Sequence, residues 1–482
     1  MNRMCLFVAV VLLAGAPLSA QRAALGVAPH SRPAEEGPEV KRLTVRPAAA
    51  PEAALDYQLL PPVLDETAGD ALGLYHTAID RLPAGDGAEL RTKLVEWSAA
   101  PVEKLPRAKV QEALAKYETA LGQVALAARR QRCDWGYPVP SQGYNLILPS
   151  LGKYRDIARA LQLDARLHIA AGEHDEAIRT LQTGYAMARH LAEGPTVINA
   201  LVGVAVAAAM DRAVVDLMEA PEGPNLYWAL AQLPRPIIDL RRAWQYEASC
   251  LYQRYPLLAK ARKGKLTPGQ EARLREEFAK AVAEFGNDAR RESANGPSAT
   301  FTIAVMRVYP RGKKHLAAKG YTPGQIEAMP VATVVAMYSL DRYHHWRDEL
   351  FKWHVLPYWQ AHERMQRAQA AFASVKANDP AEGWPFTRLV PALGRAYFLS
   401  TRLNRQLAAL QTIEAVRIYA ADHAGKLPDS LADLTAAPAP IDPITGNVFK
   451  YEVEANAFTL TAPAPTGNPA KDGTLYEVTI RP

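Results

Sequence analysis

The sequence contains few cysteines, three among 482 residues. One of them, Cys5, lies in an apolar run near the N-terminus, which leaves Cys133 and Cys250 for the rest of the chain. Two thiols form at most one bridge, so a fold framed by disulfides is excluded. The sequence leaves open whether Cys133 and Cys250 form a disulfide or remain two buried thiols.

Several catalytic motifs are also absent. The chain has no G-x-S-x-G, no G-x-x-x-x-G-K-[ST] and no G-x-G-x-x-G after a strand. His362-Glu363 begins like a zinc-protease motif, but Gln366 stands where the second histidine belongs. Serine hydrolase, metalloprotease and nucleotide-binding functions therefore lack their usual support, and we predict no cofactor. A glycosidase carboxylate pair stays open, because such pairs are set by distance in space rather than along the sequence.

Positive charge is not concentrated in any one segment. The formal net charge is +6, while residues 425–482 hold four basic and seven acidic groups. The excess is spread over the long upstream part, so we predict no nucleic-acid partner.

The first 52 residues have the composition of a targeting segment and a linker. Residues 1–20 combine a basic start, an apolar run from Cys5 to Ala16 and a small-residue end. This pattern predicts a secretory signal peptide cleaved after Ala20, and hence a periplasmic, cell-surface or secreted protein without a stable membrane span. An uncleaved signal that tethers the chain to a membrane is the alternative. Residues 21–52, rich in proline, alanine and charge, predict a disordered linker.

Almost every segment within residues 53–400 has helical periodicity, which predicts an irregular multi-helix domain. Thr267 and Thr322 each open a T-P-G-Q segment, a typical helix start. Thr196–Met210 is apolar on all sides, which favours a central buried helix over a membrane span. Leu167–Ala188 predicts an antiparallel helix pair that resembles half of a tetratricopeptide repeat, although the pattern does not recur.

The last part of the chain, residues 401–482, changes from helical to strand periodicity. Apolar residues within 403–420 follow one helix face, and Gly425 is a natural helix end. The turn formers of Asp442–Asn447 then precede two short strands, and Thr474–Ile480 alternates like a third.

This order of residues resembles the globular domain of the type II secretion major pseudopilins. In that family a helix is followed by a Y-x-x-D-x-G-x-(Y/L)-P-x-S-L-x-x-L segment, a D-P-x-G turn and a small antiparallel sheet. The matching residues are Tyr419, Asp422, Gly425, Leu427, Pro428, Ser430, Leu431, Leu434, Asp442, Pro443, Gly446 and Tyr451. The gaps from Asp422 to Gly425 and from Pro443 to Gly446 are each one residue longer than in the family pattern. The resemblance implies a pseudopilin-like α+β domain with a short antiparallel sheet, used as a structural cap.

Two departures limit what this resemblance implies. The helix begins about four hundred residues after the N-terminus, whereas a pseudopilin stem follows a short leader. It also carries Arg402, Arg405 and Arg417, the first two off its apolar face, so it is not an exposed polymerising stem. Pseudopilins bind calcium near the C-terminus, but Thr466–Gly473 offers Asp472 as its only carboxylate. Calcium prefers several carboxylates among six to eight oxygen ligands, so we predict no metal.

The whole arrangement resembles a group of large exported bacterial proteins of unknown function. The likeness lies in the Cys133–Gly136 loop (C-D-W-G), the helix pair and the C-terminal pattern. It implies export and a mainly α fold, in which an irregular multi-helix domain precedes a small α+β domain, but no activity.

One candidate binding site is the loop from Cys133 to Tyr144. Aromatic residues beside polar groups can hold a sugar or a peptide. The alternative is a loop whose aromatic residues seal the end of a helix bundle. The candidate ligand-binding residues are Asp134, Trp135, Tyr137 and Tyr144.

A second dense patch is Asp341–His362. Helical spacing places His344 near Asp348 and His345 near Glu349, so each pair could share a face. Adjacent histidines point about 100° apart on a helix and do not converge on one zinc ion, which favours ordinary surface ion pairs.

These observations favour a non-enzymatic scaffold or interaction protein of the cell envelope with an unknown protein or polymer partner. A helical hydrolase acting on an extracellular polymer is one alternative, and a secretion-apparatus-associated protein is another. Two carboxylates about 5–10 Å apart in an aromatic cleft would favour the hydrolase.

Overall fold

The computed structural model describes residues 37–83, 87–138, 151–263, 266–285, 296–379, 381–390 and 394–481. The predicted signal peptide, the first part of the predicted linker and Tyr144 lie outside these residues. Within them the chain is mainly helical with a small sheet that includes the C-terminal strands, as the sequence predicts.

The helices in the first half of the chain are α1 Leu72–Asp80, α2 Gly87–Ala99, α3 Arg107–Ala115, α4 Glu118–Ala128, α5 Leu151–Ala171, α6 His174–Ala192, α7 Val197–Glu219 and α8 Tyr227–Ala231. Those in the second half are α9 Arg241–Arg254, α10 Pro256–Arg262, α11 Pro268–Phe285, α12 Gly296–Ala318, α13 Pro323–Glu327, α14 Val331–Phe351, α15 Tyr358–Asn378 and α16 Gly394–Asp422. The strands are β1 Glu39–Val45, β2 Thr67–Asp70, β3 Arg130–Arg132, β4 Lys450–Glu454, β5 Ala457–Ala462 and β6 Thr474–Ile480.

Helix α7 occupies the centre of the main core and packs on α5, α6 and α16. Thr196 caps it by accepting a hydrogen bond from the Asn199 amide at 3.2 Å. A Cβ at Gly203 would lie 2.6 Å from the Ala188 carbonyl oxygen, so only glycine allows α6 to pass so close. The helix is long and apolar enough to cross a membrane, but 72% of its most apolar window is buried inside the protein. It is the central buried helix that Thr196–Met210 predicts.

Helices α5 and α6 form the predicted antiparallel pair. They are joined by a tight turn at Gly172, where φ is +80°. Such a left-handed conformation carries no steric penalty for glycine.

The C-terminal sheet has four strands in the order β1-β6-β5-β4. The pairs β4–β5 and β5–β6 are antiparallel, but β1 is parallel to β6, with Glu39 opposite Thr474. The predicted disordered linker, residues 21–52, is therefore wrong for Glu39–Val45. Leu43 and Val45 alternate with polar residues and are 4% and 1% exposed, so this short strand buries an apolar face. The proline and alanine on either side give the segment the composition of a linker, which is why the strand was not predicted.

The predicted boundary between residues 400 and 401 falls inside α16, which continues without interruption. Apolar residues of α16, of the C-terminal strands and of α5 to α7 belong to one hydrophobic core. A second core lies among residues 251–390. The C-terminal sheet is thus packed directly on the long helix and its neighbours.

Arg405, predicted to lie off the apolar face of α16, is instead buried and only 2% exposed. Its Nε and Nη2 donate to the two carboxylate oxygens of Asp442 at 2.9 and 2.5 Å. The same carboxylate accepts the Ile444 amide at 2.9 Å and the Thr445 hydroxyl at 3.1 Å. The buried charge is therefore both paired and hydrogen-bonded, which a buried carboxylate requires.

Arg417 forms a second buried connection on the same helix. Its Nη1 donates to both carboxylate oxygens of Glu414 at 2.8 and 3.0 Å. Its Nε reaches the Arg46 carbonyl at 2.8 Å and its Nη2 reaches the Gly223 carbonyl at 3.0 Å. Arg417 thus fixes the chain after β1 and the loop after α7 to α16.

A buried acid in the main core is Asp211 of α7, which is fully buried. The Tyr185 hydroxyl donates to its Oδ1 at 2.6 Å, and no described residue hydrogen-bonds its Oδ2. Burial raises the pKa of Asp211 from 3.8 to about 7, because the charged form loses hydration.

We predict that Arg405→Gln lowers the free energy of unfolding by about 3–5 kcal/mol, because it leaves the Asp442 charge buried and unpaired. The matched control is Arg402→Gln, three residues away on α16, whose partner Glu39 is half exposed. A surface pair contributes less than about 1 kcal/mol. Urea denaturation of both variants measures the difference, and equal losses would contradict the role of the buried pair.

A second prediction concerns pH. Because the folded pKa of Asp211 is raised, its contribution to stability is full below pH 3.8 and is lost as the pH rises through about 7. Asp211→Asn mimics the protonated acid, so its free energy of unfolding should equal that of the unchanged protein near pH 3.8. Above pH 7 the free energy of unfolding of Asp211→Asn should be higher than that of the unchanged protein by up to about 4 kcal/mol, at about 1.4 kcal/mol per pKa unit. Denaturation across this range tests this, and a pH-independent difference would refute it.

Candidate functional site

The predicted binding residue Trp135 lies in the core rather than in a ligand groove, with 7% of its surface exposed. Its ring stacks between Tyr75 and Tyr137, with centroids 6.2 and 6.0 Å away, and Tyr154 meets it edge-on at 5.6 Å. Its Nε1 donates to the His190 carbonyl at 2.8 Å. Because both ring faces are covered, the arrangement matches the alternative in which aromatic residues seal the bundle.

The other predicted residues of this loop do not converge with Trp135 on a common opening. Asp134 is exposed, and its carboxylate accepts the Gly136 amide at 3.2 Å. Tyr137 is half-buried, with its hydroxyl 3.4 Å from Asn199 Nδ2, while Tyr144 lies outside the described residues.

Cys133 and Cys250, whose pairing the sequence left open, are both free and buried. Burial raises the pKa of Cys133 well above its ordinary range and that of Cys250 to about 12. Both groups are therefore protonated thiols at neutral pH, and neither is a reactive nucleophile.

The histidine-rich patch of α14 does not form the pairs that helical spacing suggested. Asp348 contacts Arg347 at 2.7 Å and Glu349 contacts Lys352 at 2.8 Å. His344 instead contacts the Tyr252 hydroxyl, and burial lowers its pKa to about 4. Among the described residues, no group of three or more histidine, cysteine or acidic side chains is placed to hold a metal ion.

A cavity of about 640 Å³ lies where the helical part meets the C-terminal turn; we call it the junction groove. Four separated segments supply its walls: the chain leading into α9, the turn before α15, the first half of α16 and the loop before Asp442. The residues that line it are Ala231, Arg235, Pro236, Ile238, Asp239, Leu240, Arg241, Trp244, His354, Val355, Leu356, Pro357, Tyr358, Trp359, Tyr397, Ser400, Thr401, Asn404, Ala408, Gln411, Pro440, Ile441 and Pro443.

Aromatic rings form the inner wall of the junction groove. His354 packs on Trp244 with centroids 4.1 Å apart, and Tyr397 lies 5.1 Å from His354 and from Tyr358. Burial lowers the pKa of His354 to about 4, so its ring is neutral at pH 7. The wall is therefore an uncharged aromatic surface.

The rim of the groove exposes apolar side chains. Val355, Trp359 and Ile441 are 72%, 44% and 53% exposed. A Cβ at Gly446, where φ is +75°, would lie 2.6 Å from Trp359 Cδ2. The Asp442–Asn447 turn thus supports Trp359 directly, and its position depends on the Arg405–Asp442 pair.

Several polar groups on the α9 and α16 side of the groove are held by partners within the protein. The Asn404 side chain accepts the Ile237 amide at 3.0 Å, and the Ser400 hydroxyl donates to the Ile238 carbonyl at 2.8 Å. Asp239 pairs with Arg241, whose Nε and Nη2 donate to Asp239 Oδ2 at 2.8 and 2.6 Å. These bonds fix the segment before α9 against α16, so the groove is preformed.

Two smaller cavities have a different character. One of about 460 Å³ lies beside Tyr419, Asp422, Asp429 and Asp433, and another of about 300 Å³ lies beside His190. The first is acidic, with no feature that indicates a ligand. The junction groove alone combines a large volume with exposed aromatic and apolar residues among the cavities described here.

Asp472, the only carboxylate of the Thr466–Gly473 segment, is 2% exposed and paired with an arginine. Arg395 donates to its two oxygens at 2.7 and 3.1 Å, and Asn468 Nδ2 lies 3.0 Å away. The guanidinium therefore supplies the positive charge that a cation would supply.

Comparisons with family models, with curated proteins and with solved structures found no match to this chain. Fold and site together define a mainly helical protein with a small C-terminal mixed sheet and an aromatic groove between them.

We predict that Trp135→Ala lowers the free energy of unfolding by about 3–5 kcal/mol, because it opens a cavity in the core. Asp134→Ala, at the neighbouring exposed position, should cost less than about 1 kcal/mol. Thermal or urea denaturation compares the two. A stable Trp135→Ala protein would contradict the sealing role and return this loop to the candidate binding sites.

Proposed function

We propose that this protein is an exported, non-enzymatic binding protein of the cell envelope whose binding site is the junction groove. The observation that carries the proposal is the groove itself, a preformed cavity of about 640 Å³ with an aromatic wall and exposed apolar side chains on its rim. Ligand sites in proteins are typically concave, largely apolar and about 300–1,000 Å³ in volume.

The chemistry of the lining favours binding over hydrolysis. A glycosidase needs two carboxylates across the substrate. The described lining supplies one, Asp239, and Arg241 occupies both of its oxygens. Among the described residues, no carboxylate hydrogen-bonds the neutral His354 to orient it as a general base, and its Nδ1 lies 3.3 Å from the Phe351 carbonyl.

The environment of α16 favours a self-contained binding protein over a secretion-apparatus component. In pseudopilins the corresponding helix polymerises. Here nearly the whole of α16 is buried, and α7, α8 and α15 pack on it. A helix that already has these partners offers no stem for assembly. Export remains part of the proposal on the strength of residues 1–20 alone.

To test binding, we expect the neutral dye N-phenyl-1-naphthylamine to bind the protein at one site with enhanced fluorescence. Trp359→Ser and Val355→Ser should each weaken binding about threefold or more, because each removes apolar area that the dye would cover. The control is Leu64→Ser, which removes a 97% exposed side chain that does not line the groove.

Fluorescence titration of the three variants decides between the groove and nonspecific adsorption. If Leu64→Ser and Trp359→Ser weaken dye binding equally, the dye adsorbs nonspecifically to exposed apolar surface. Binding that none of the variants changes would also contradict the groove as the site.

A further inference from the structure

We infer that the junction groove selects small amphipathic organic anions, with Arg235 as the group that receives the charge. The ligand would carry one carboxylate, sulfonate or phosphate on an aromatic or aliphatic body. This inference rests on the proposed function, since it assigns a ligand class to the same groove.

Arg235 is held in a fixed position at the groove by acceptors that carry no charge. Its Nη1 donates to the Asn404 carbonyl at 3.0 Å. Its Nη2 donates to the Leu230 carbonyl at 3.3 Å and to Gln411 Oε1 at 3.1 Å. The residue is exposed, and no carboxylate among the described residues forms an ion pair with it. A fixed guanidinium without a carboxylate hydrogen-bonded to it is a preorganised anion site.

The other charged groups of the lining cancel one another. Asp239 and Arg241 form a bidentate pair, and His354 is neutral. Asp211 attracts Arg235 from the core but forms no hydrogen bond with it, and its carboxylate is bound by the Tyr185 hydroxyl. The groove therefore has an excess of one positive charge, which complements a ligand with one negative charge.

The donors of Arg235 suffice for such a ligand. A guanidinium has five N–H groups, and the three contacts to the protein leave the Nε–H and one Nη1–H free. These two lie on different edges of the group, so an oxyanion accepts from one of them. The aromatic wall and the rim residues Val355, Trp359 and Ile441 would cover the apolar body. A cavity of about 640 Å³ is the size for a small molecule rather than for a folded partner.

The test compares two dyes that share the same ring system. The anion 8-anilino-1-naphthalenesulfonate and its neutral counterpart N-phenyl-1-naphthylamine are titrated into the full chain. We expect the anion to bind at least about tenfold tighter, the size expected of a charge-assisted hydrogen bond. Raising the salt from about 50 mM to about 500 mM should weaken binding of the anion only.

Arg235→Gln should bring the affinities for the two dyes within about twofold of each other, and Arg235→Lys should keep part of the preference because it keeps the charge. The matched control is Arg242→Gln, an exposed arginine on α9 outside the lining, which should keep the full preference. Unchanged affinity for the neutral dye in all three variants shows that the groove is intact.

The possible outcomes separate this inference from the proposed function. If Arg235→Gln keeps the preference for the anion, or Arg242→Gln loses it equally, the role of Arg235 is wrong while binding in the groove stands. If both dyes bind independently of Trp359, the groove is not a binding site and the proposed function fails with the inference.

Discussion

The Arg405–Asp442 ion pair is the contact on which the junction groove depends. Both side chains are almost completely buried. Four donors from three residues, one of them the Ile444 backbone amide of the turn, converge around one carboxylate. Removing either partner would leave an uncompensated charge in the core, so the turn has one stable position. That position places Gly446 beneath Trp359 and Ile441 on the rim. A buried electrostatic contact on one helix thereby fixes the geometry of an apolar binding surface.

Helix α16 uses arginines to gather segments that are distant in sequence. Arg395 binds Asp472 before β6, Arg405 binds the turn at Asp442, and Arg417 binds Glu414 and the chain after β1. Arg405 and Arg417 are buried and Arg395 is half-buried, and each guanidinium meets carboxylate or carbonyl oxygens. The central element is thus a polar scaffold inside an otherwise apolar core. The helix thus serves as an internal support that connects these segments.

Much of the fold follows from local patterns. Continuous apolar character located the central helix at Thr196–Met210, and turn formers located Asp442–Asn447. Strand β1 was missed because its seven residues lie in a segment whose composition is that of a linker, and its partner β6 is more than four hundred residues away. The groove was missed for a similar reason. Arg235 and Trp359 carry no motif, and only the packing of four separated segments brings them together. Trp135 was assigned to binding because a sequence does not show whether the faces of a ring are covered.

A crystal structure of the protein with bound 8-anilino-1-naphthalenesulfonate tests the central claim most directly. The account predicts the sulfonate on the guanidinium of Arg235 and the rings between Trp359 and Tyr397, with the Arg405–Asp442 pair intact beneath the turn. A dye bound elsewhere, for example at the Asp134–Tyr137 loop, or a turn displaced from Arg405, would contradict it.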